Sequence, residues 1–112
     1  MATVEVPELT AAELAASGTL KIGAVKGILI WHLPTYKGSG DCSKKGTGAF
    51  KGKEPQISTS TLPGEYELTC ERTKATLKLY DKNGGLAGTF TGYGLQKGLT
   101  GTWKGKWSRS RK

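Results

Sequence analysis

Long apolar runs are missing from this chain. The longest, Ile28-Leu29-Ile30-Trp31, is four residues, far short of the roughly 18 that a membrane-spanning helix needs. Met1 to Leu14 has neither a basic n-region nor an apolar h-region and does not read as a signal peptide. The expected location is therefore cytoplasmic, with a secreted mature form as the alternative. Cysteine and histidine are scarce: Cys42, Cys70 and the single His32, with no Cys-x-x-Cys spacing, so no metal site is indicated. Two unpaired thiols in a reducing compartment are expected in preference to a disulfide. Cys70 falls on the inward phase of a predicted strand, whereas Cys42 lies in a polar loop and is expected to be exposed unless bridged.

Catalytic signatures are also lacking. His32 is the only ordinary neutral-pH base, and no nucleophile or orienting carboxylate is marked beside it. The stretch Lys37 to Gly48 is rich in Gly, Ser and Lys and invites a phosphate-cradle reading, but it lacks the Walker spacing and reads as a solvated loop. Glu65, Glu67 and Glu71 sit in a row on one strand face. A glycosidase needs two carboxylates facing across a cleft; these instead suit cross-strand pairing with Lys74, Lys78 or Lys104. No cofactor is indicated, and an enzyme is the last of the readings.

What the chain does have is glycine, basic charge and alternation. At 112 residues it fits one domain, read as an N-terminal extension (1–18), a β-domain (19–107) and a basic tail (108–112). Thr10-Ala11-Ala12-Glu13 is a capping box that predicts a short helix to Ser17, with Gly18 at its end. Strands are expected over Thr19–Val25 and Gly27–Leu33, with Lys26-Gly27 as a bend or bulge in one long strand. Tyr36 to Lys45 reads as a loop. Weaker strands follow at Gly46–Gly52 and Gln56–Thr61, and Leu62–Glu65 reads as a turn.

From Glu65 on, the period of two is clear. Tyr66, Leu68 and Cys70 alternate with Glu65, Glu67, Thr69 and Glu71; Leu77 and Leu79 alternate with Lys74, Thr76, Lys78 and Tyr80. Asn83-Gly84 is a strong hairpin signal. Leu86, Gly88 and Phe90 are expected inward, as are Leu99, Gly101, Trp103, Gly105 and Trp107. The fold class is therefore all-β: a small antiparallel barrel or sandwich of about seven or eight strands, with four successive strands in a meander and one short N-terminal helix. Ile28 and Ile30 are expected in the core with Leu77, Leu79, Phe90, Leu99, Trp103 and Trp107. Repeated glycines near aromatics suggest tight curvature or rings lying over bare backbone.

The five residues Leu99-Thr100-Gly101-Thr102-Trp103 resemble a strand phrase of small ligand-binding barrels such as the avidins. The likeness covers no binding residue, and none is carried over.

Charge is strongly asymmetric. Arg72 to Lys112 holds ten bases and one acid, Asp81, while residues 1–20 hold three acids and no base. A single-sign C-terminal field draws polyanions or acidic surfaces. The leading reading is a non-enzymatic binding module whose basic C-terminal face contacts nucleic acid or another polyanion. Its candidate residues are Lys74, Lys78, Lys104, Lys106, Arg109 and Arg111 for phosphates, with outward-phase Tyr80 and Tyr93 for stacking. One alternative is a protein–protein interaction or structural accessory subunit, of a viral or phage type, docking on an acidic partner. Another is a barrel holding a small molecule or sugar at a rim formed by Trp31, His32 and Tyr36.

Overall fold

A computed structural model of the chain describes residues 17–110. The predicted helix over 11–16 and the basic residues Arg111 and Lys112 lie outside the described residues; Ser17 and Gly18 belong to the first strand. Eight strands follow: β1 (Ser17–Val25), β2 (Ile28–His32), β3 (Tyr36–Asp41), β4 (Gly46–Lys53), β5 (Pro63–Cys70), β6 (Lys74–Asp81), β7 (Leu86–Lys97) and β8 (Gly101–Arg109). They close into an antiparallel barrel in the order β1-β2-β3-β8-β5-β6-β7-β4. The all-β class expected from the alternation is the fold, and of barrel and sandwich it is the closed barrel.

The strand order holds a regularity. Read from β4, the ring runs β4-β1-β2-β3 and then β8-β5-β6-β7. Each half is a three-strand meander whose fourth strand returns beside the first, a Greek key. The expected four-strand meander is thus only three strands long, β5 to β7. β8 leaves it to pair with β5 and β3. Alternation tells which way a side chain points, but carries no information on which strand lies next door. The β7–β8 link crosses the barrel end with Leu99 fully buried. Gln96 secures it by accepting the Leu99 N–H at 2.7 Å, and the Trp103 indole N–H donates to the Leu99 carbonyl at 3.0 Å.

Lys26-Gly27 is not a bulge in one strand but a two-residue hairpin turn between β1 and β2, which pair from Val25 opposite Ile28. Both turn residues have positive φ, 57° and 87°, as the type I′ turn matched to strand twist requires. This turn sets the phase of β2. Trp31 stands opposite Ile22 and Leu29 opposite Ala24, so Leu29 and Trp31 are fully buried while Ile28 and Ile30 are 51% and 48% exposed. The expected core placement of the two isoleucines is reversed, because a shift of one residue moves every side chain to the other face. A second phase error has the same origin. Opposite β6, one extra residue at Ala87 makes a bulge, and Leu86, expected inward, is exposed.

One loop assignment, one turn assignment and the expected strand Gln56–Thr61 also change. Tyr36–Asp41 is a strand in which larger side chains would not fit at Gly38, under the Trp31 ring, or at Gly40, against the Lys104–Gly105 backbone. Pro63-Gly64 begins β5 and is not a turn. Residues 54–62 form no strand, because their polar groups are taken from elsewhere. Arg109 donates to the carbonyls of Ser58 and Thr61, and the Ile57 N–H donates to the Tyr36 hydroxyl. The segment lies over one barrel end, with Ile57 packed on the core.

The interior is filled by Leu20, Phe50, Leu68, Leu77, Leu79 and Phe90, all fully buried, around two edge-to-face aromatic pairs. Trp31 meets Tyr66 with centroids 5.4 Å apart, and Tyr36 meets Trp107 at 5.6 Å. Trp103, expected deep in the core, is only partly buried against it. Both cysteines are buried free thiols. Cys42 is covered without a bridge, contrary to its expected exposure, and its thiol donates to the Lys44 carbonyl.

Candidate functional site

Adjacent strands lie about 4.8 Å apart and carry outward side chains in rows across the barrel. The cross-strand register therefore reads out the surface directly. On the C-terminal strands, Glu67 stands between Lys104 of β8 and Lys78 of β6, and Lys106 stands opposite Glu65. Lys104 Nζ lies 3.8 Å from a Glu67 carboxylate oxygen. Such an exposed pair adds only about 0–1 kcal/mol to stability. Its effect on the field is larger, because opposite charges on adjacent strands fall well inside the Debye length of about 10 Å at 0.1 M salt. The cross-strand pairing expected for these glutamates is the one observed for Glu67.

The strongly positive segment from Arg72 on is therefore not a strongly positive face. β5, which precedes that segment in the chain, is inserted between its strands and brings Glu65 and Glu67 with it. Arg109 is committed elsewhere: its guanidinium ties down residues 58 and 61 and lies 5.7 Å from the centre of the Trp107 ring. Tyr80 borders a concavity of mixed charge lined also by Glu65, Glu67, Asp81, Lys104 and Lys106.

Lys74 and Tyr93 belong to a different surface. Tyr93 stands between Lys74 of β6 and Lys51 of β4, and Lys51 stands opposite Thr19. A neighbouring row runs Lys37, His32, Lys21, Ala49, Leu95 across five strands. A third runs Ile30, Gly23, Thr47, Lys97. The contiguous strands β2, β1, β4 and β7 contain no Asp or Glu. On them Lys21, Lys51, Lys53 and Lys97 are all exposed. Between β1, β4 and β7 runs a shallow groove whose floor is Ala49 and Leu95, with Lys21 and Lys97 on its sides. No family model, no curated protein and no solved structure matches this chain.

Sequence reasoning reached Lys74 and Tyr93 but missed Lys21, Lys51, Lys53 and Lys97. A signal for them was present: Lys51 and Lys53 alternate with Phe50 and Gly52. A charge tally along the chain cannot show that β4 lies between β1 and β7, which carry no acid.

The rim of Trp31, His32 and Tyr36 is not assembled. Trp31 and Tyr36 are buried in the core, while His32 is exposed on the outer face. Neighbours in a strand point to opposite sides, so Trp31 and His32 cannot line one interior. Inside, the Trp31 indole N–H and the Tyr66 hydroxyl are both buried without a well-formed partner. Burial pushes the Tyr66 hydroxyl up to about 12, with the Trp31 indole opposing the rise. Burial likewise pushes the Cys70 thiol up to about 12, with Cys42 adding to the rise. Among the described residues, no three His, Cys, Asp or Glu side chains gather as a metal site. No helix among the described residues is long and apolar enough to cross a membrane.

Proposed function

We propose that the chain is a non-enzymatic binding module that takes a polyanion, nucleic acid foremost, on the outer face of β2, β1, β4 and β7, with Lys74 at its border. One observation carries the reading: four adjacent strands hold no carboxylate, and three of them, β1, β4 and β7, present exposed lysines. Lysines on neighbouring strands can neutralise successive phosphates and release condensed counterions, which drives association without reading sequence. Tyr93, half-buried between Lys74 and Lys51, offers a ring for a base beside two cations.

Charge reversal separates this face from the C-terminal strands. Lys21→Glu/Lys51→Glu/Lys53→Glu should weaken binding to oligo(dT), RNA and heparin fragments by more than about tenfold at low salt, while Lys104→Glu/Lys106→Glu should change it little. Affinity should fall with salt by about 0.7–0.9 powers of ten per power of ten for each phosphate neutralised. Equal losses in both variants, or affinity indifferent to salt, would refute the assignment.

A second reading has an observation of its own. Val25, Ile28 and Ile30 are 58%, 51% and 48% exposed on the β1–β2 hairpin, next to the lysine rows. Apolar surface beside unopposed cations suits an acidic protein partner as well as a phosphate backbone. Saturable, partly salt-resistant binding to one acidic protein, with none to oligonucleotides, would favour it.

A further inference from the structure

The groove between β1, β4 and β7 combines two chemistries: an apolar floor, with Leu95 54% exposed, and unopposed lysines at its sides. One segment of this same chain carries the complement. Residues 1–16 contain Glu5, Glu8 and Glu13, no base, and Val4, Val6, Leu9 and Leu14. From residue 17 onward all 17 bases of the chain face only six acids, so the acidic segment is joined to a strongly basic barrel.

The point of attachment favours this groove over the rest of the surface. The segment joins β1 at Ser17, which stands opposite Lys53, two residues before Thr19 opposite Lys51. Glu13 lies four residues from Ser17: about 6 Å away in the short helix that its capping box predicts, beside the Lys53 and Lys51 end of the face, and at most about 14 Å away in extended chain. Leu9, eight residues from Ser17, reaches about 12 Å as helix and at most about 28 Å extended, a range that includes the roughly 16 Å from Ser17 along β1 and across β4 to Leu95. The acids of β3, β5 and β6 lie on other staves of the barrel.

We propose that residues 1–16 dock in cis on the β1–β4–β7 groove, apolar side chains on Ala49 and Leu95 and glutamates toward Lys21, Lys51 and Lys53, and so compete with a polyanion for the same lysines. The docking stands on charge, apolar match and tether length. The competition rests on the polyanion reading above. Tethering makes the contact intramolecular, which raises its effective concentration to about the millimolar range for a short linker. A weak contact can then still be occupied.

The test uses the full chain, labelled with nitrogen-15, and the variant Glu5→Gln/Glu8→Gln/Glu13→Gln. These substitutions lie far in sequence from the amides that are read, which belong to β4 and β7. The backbone amide signals of Thr47, Ala49, Leu95 and Lys97 should shift between the two proteins, the difference should fade with added salt, and it should not depend on protein concentration. Unmoved groove amides overturn the docking, and a shift that grows with concentration overturns docking in cis in favour of a second copy's segment. Titration with oligo(dT) tests the competition separately. The variant should bind about three- to tenfold more tightly at low salt. Shifted amides with no gain in affinity overturn the competition alone. If neither protein binds the oligonucleotide, the polyanion reading falls and the amide shifts still decide the docking.

Discussion

Trp31 lies with its indole directly over the backbone of Gly38, the residue facing it on β3. A Cβ added at Gly38 would meet Cε2, Cζ2 and Nε1 of that ring at 2.6 Å, against the roughly 3.5–4.0 Å at which carbon atoms rest in contact. The ring has little room to move: Trp31 is fully buried and meets Tyr66 edge-to-face. Without the collision, Gly38→Ala in a strand would stabilise by about 0.5–1 kcal/mol through lost unfolded-state freedom. With it, the substitution should instead destabilise by about 1–3 kcal/mol, so the sign alone is diagnostic. Trp31→Leu removes all three colliding atoms and should itself cost about 2–5 kcal/mol through the cavity it leaves. In that background Gly38→Ala should lose its penalty, a coupling of at least about 1 kcal/mol. Urea unfolding followed by far-ultraviolet circular dichroism reads all four proteins without depending on the removed fluorophore. A neutral or stabilising Gly38→Ala, or two costs that simply add, would refute the stacking of ring on backbone.

Trp103→Ala should cost less than Trp31→Ala, about 1–3 against 3–5 kcal/mol, because Trp103 is only partly buried; equal costs in urea titrations would contradict this. Tyr66 and Cys70 both hold their protons more tightly folded than unfolded, each pushed up to about 12 from 10.0 and 9.0. Their stabilising contribution is therefore full below about pH 9 and lost as pH rises toward about 12, and a melting temperature level across that window would contradict the shifts. The same burial should leave Cys70 unreactive to iodoacetamide at pH 8 until urea unfolds the barrel, as mass spectrometry of the alkylated protein can show. Arg109→Ala removes two bonds to carbonyls of the 58–61 segment; it should cost about 1–3 kcal/mol and speed proteolysis there before anywhere else.

The strands from Glu65 on were legible because each has one wet and one dry face, and Leu68, Leu77, Leu79 and Phe90 all point where the period of two puts them. β1 and β2 were harder. Apolar residues fill both phases of Ile28–Trp31, so the pattern alone could not choose between Ile28/Ile30 and Leu29/Trp31; the choice was made by a two-residue turn whose first member, Lys26, is an unusual residue at positive φ. β3 was hidden for another reason. Its composition, Tyr-Lys-Gly-Ser-Gly-Asp, is that of a loop, and it becomes a strand because Trp31 lies over the bare backbone of Gly38 and the Lys104–Gly105 backbone leaves no room for a side chain at Gly40. The candidate surface was half visible. Lysine positions and their outward phase can be read along a chain, but whether a glutamate lies one strand away depends on ring order, which comes from pairings as distant as Tyr36 with Arg109.

That ring order has a consequence for a ribosome making the chain from its N-terminus. When β1 to β4 have emerged, β1 is already flanked by β2 and β4, but β3 and β4 each present an open row of amides and carbonyls, because their other partners are β8 and β7. Unpaired strand rims of this kind invite pairing with another chain. The rim of β4 is covered only when β7 arrives, and that of β3 only when β8, the last strand, is complete. The final stave is thus also the lock. A nascent chain stalled before Trp107, or a variant that delays β8, would spend its time as an open curl with β3 exposed, and aggregation would rise at the stage of synthesis even where the finished barrel is stable.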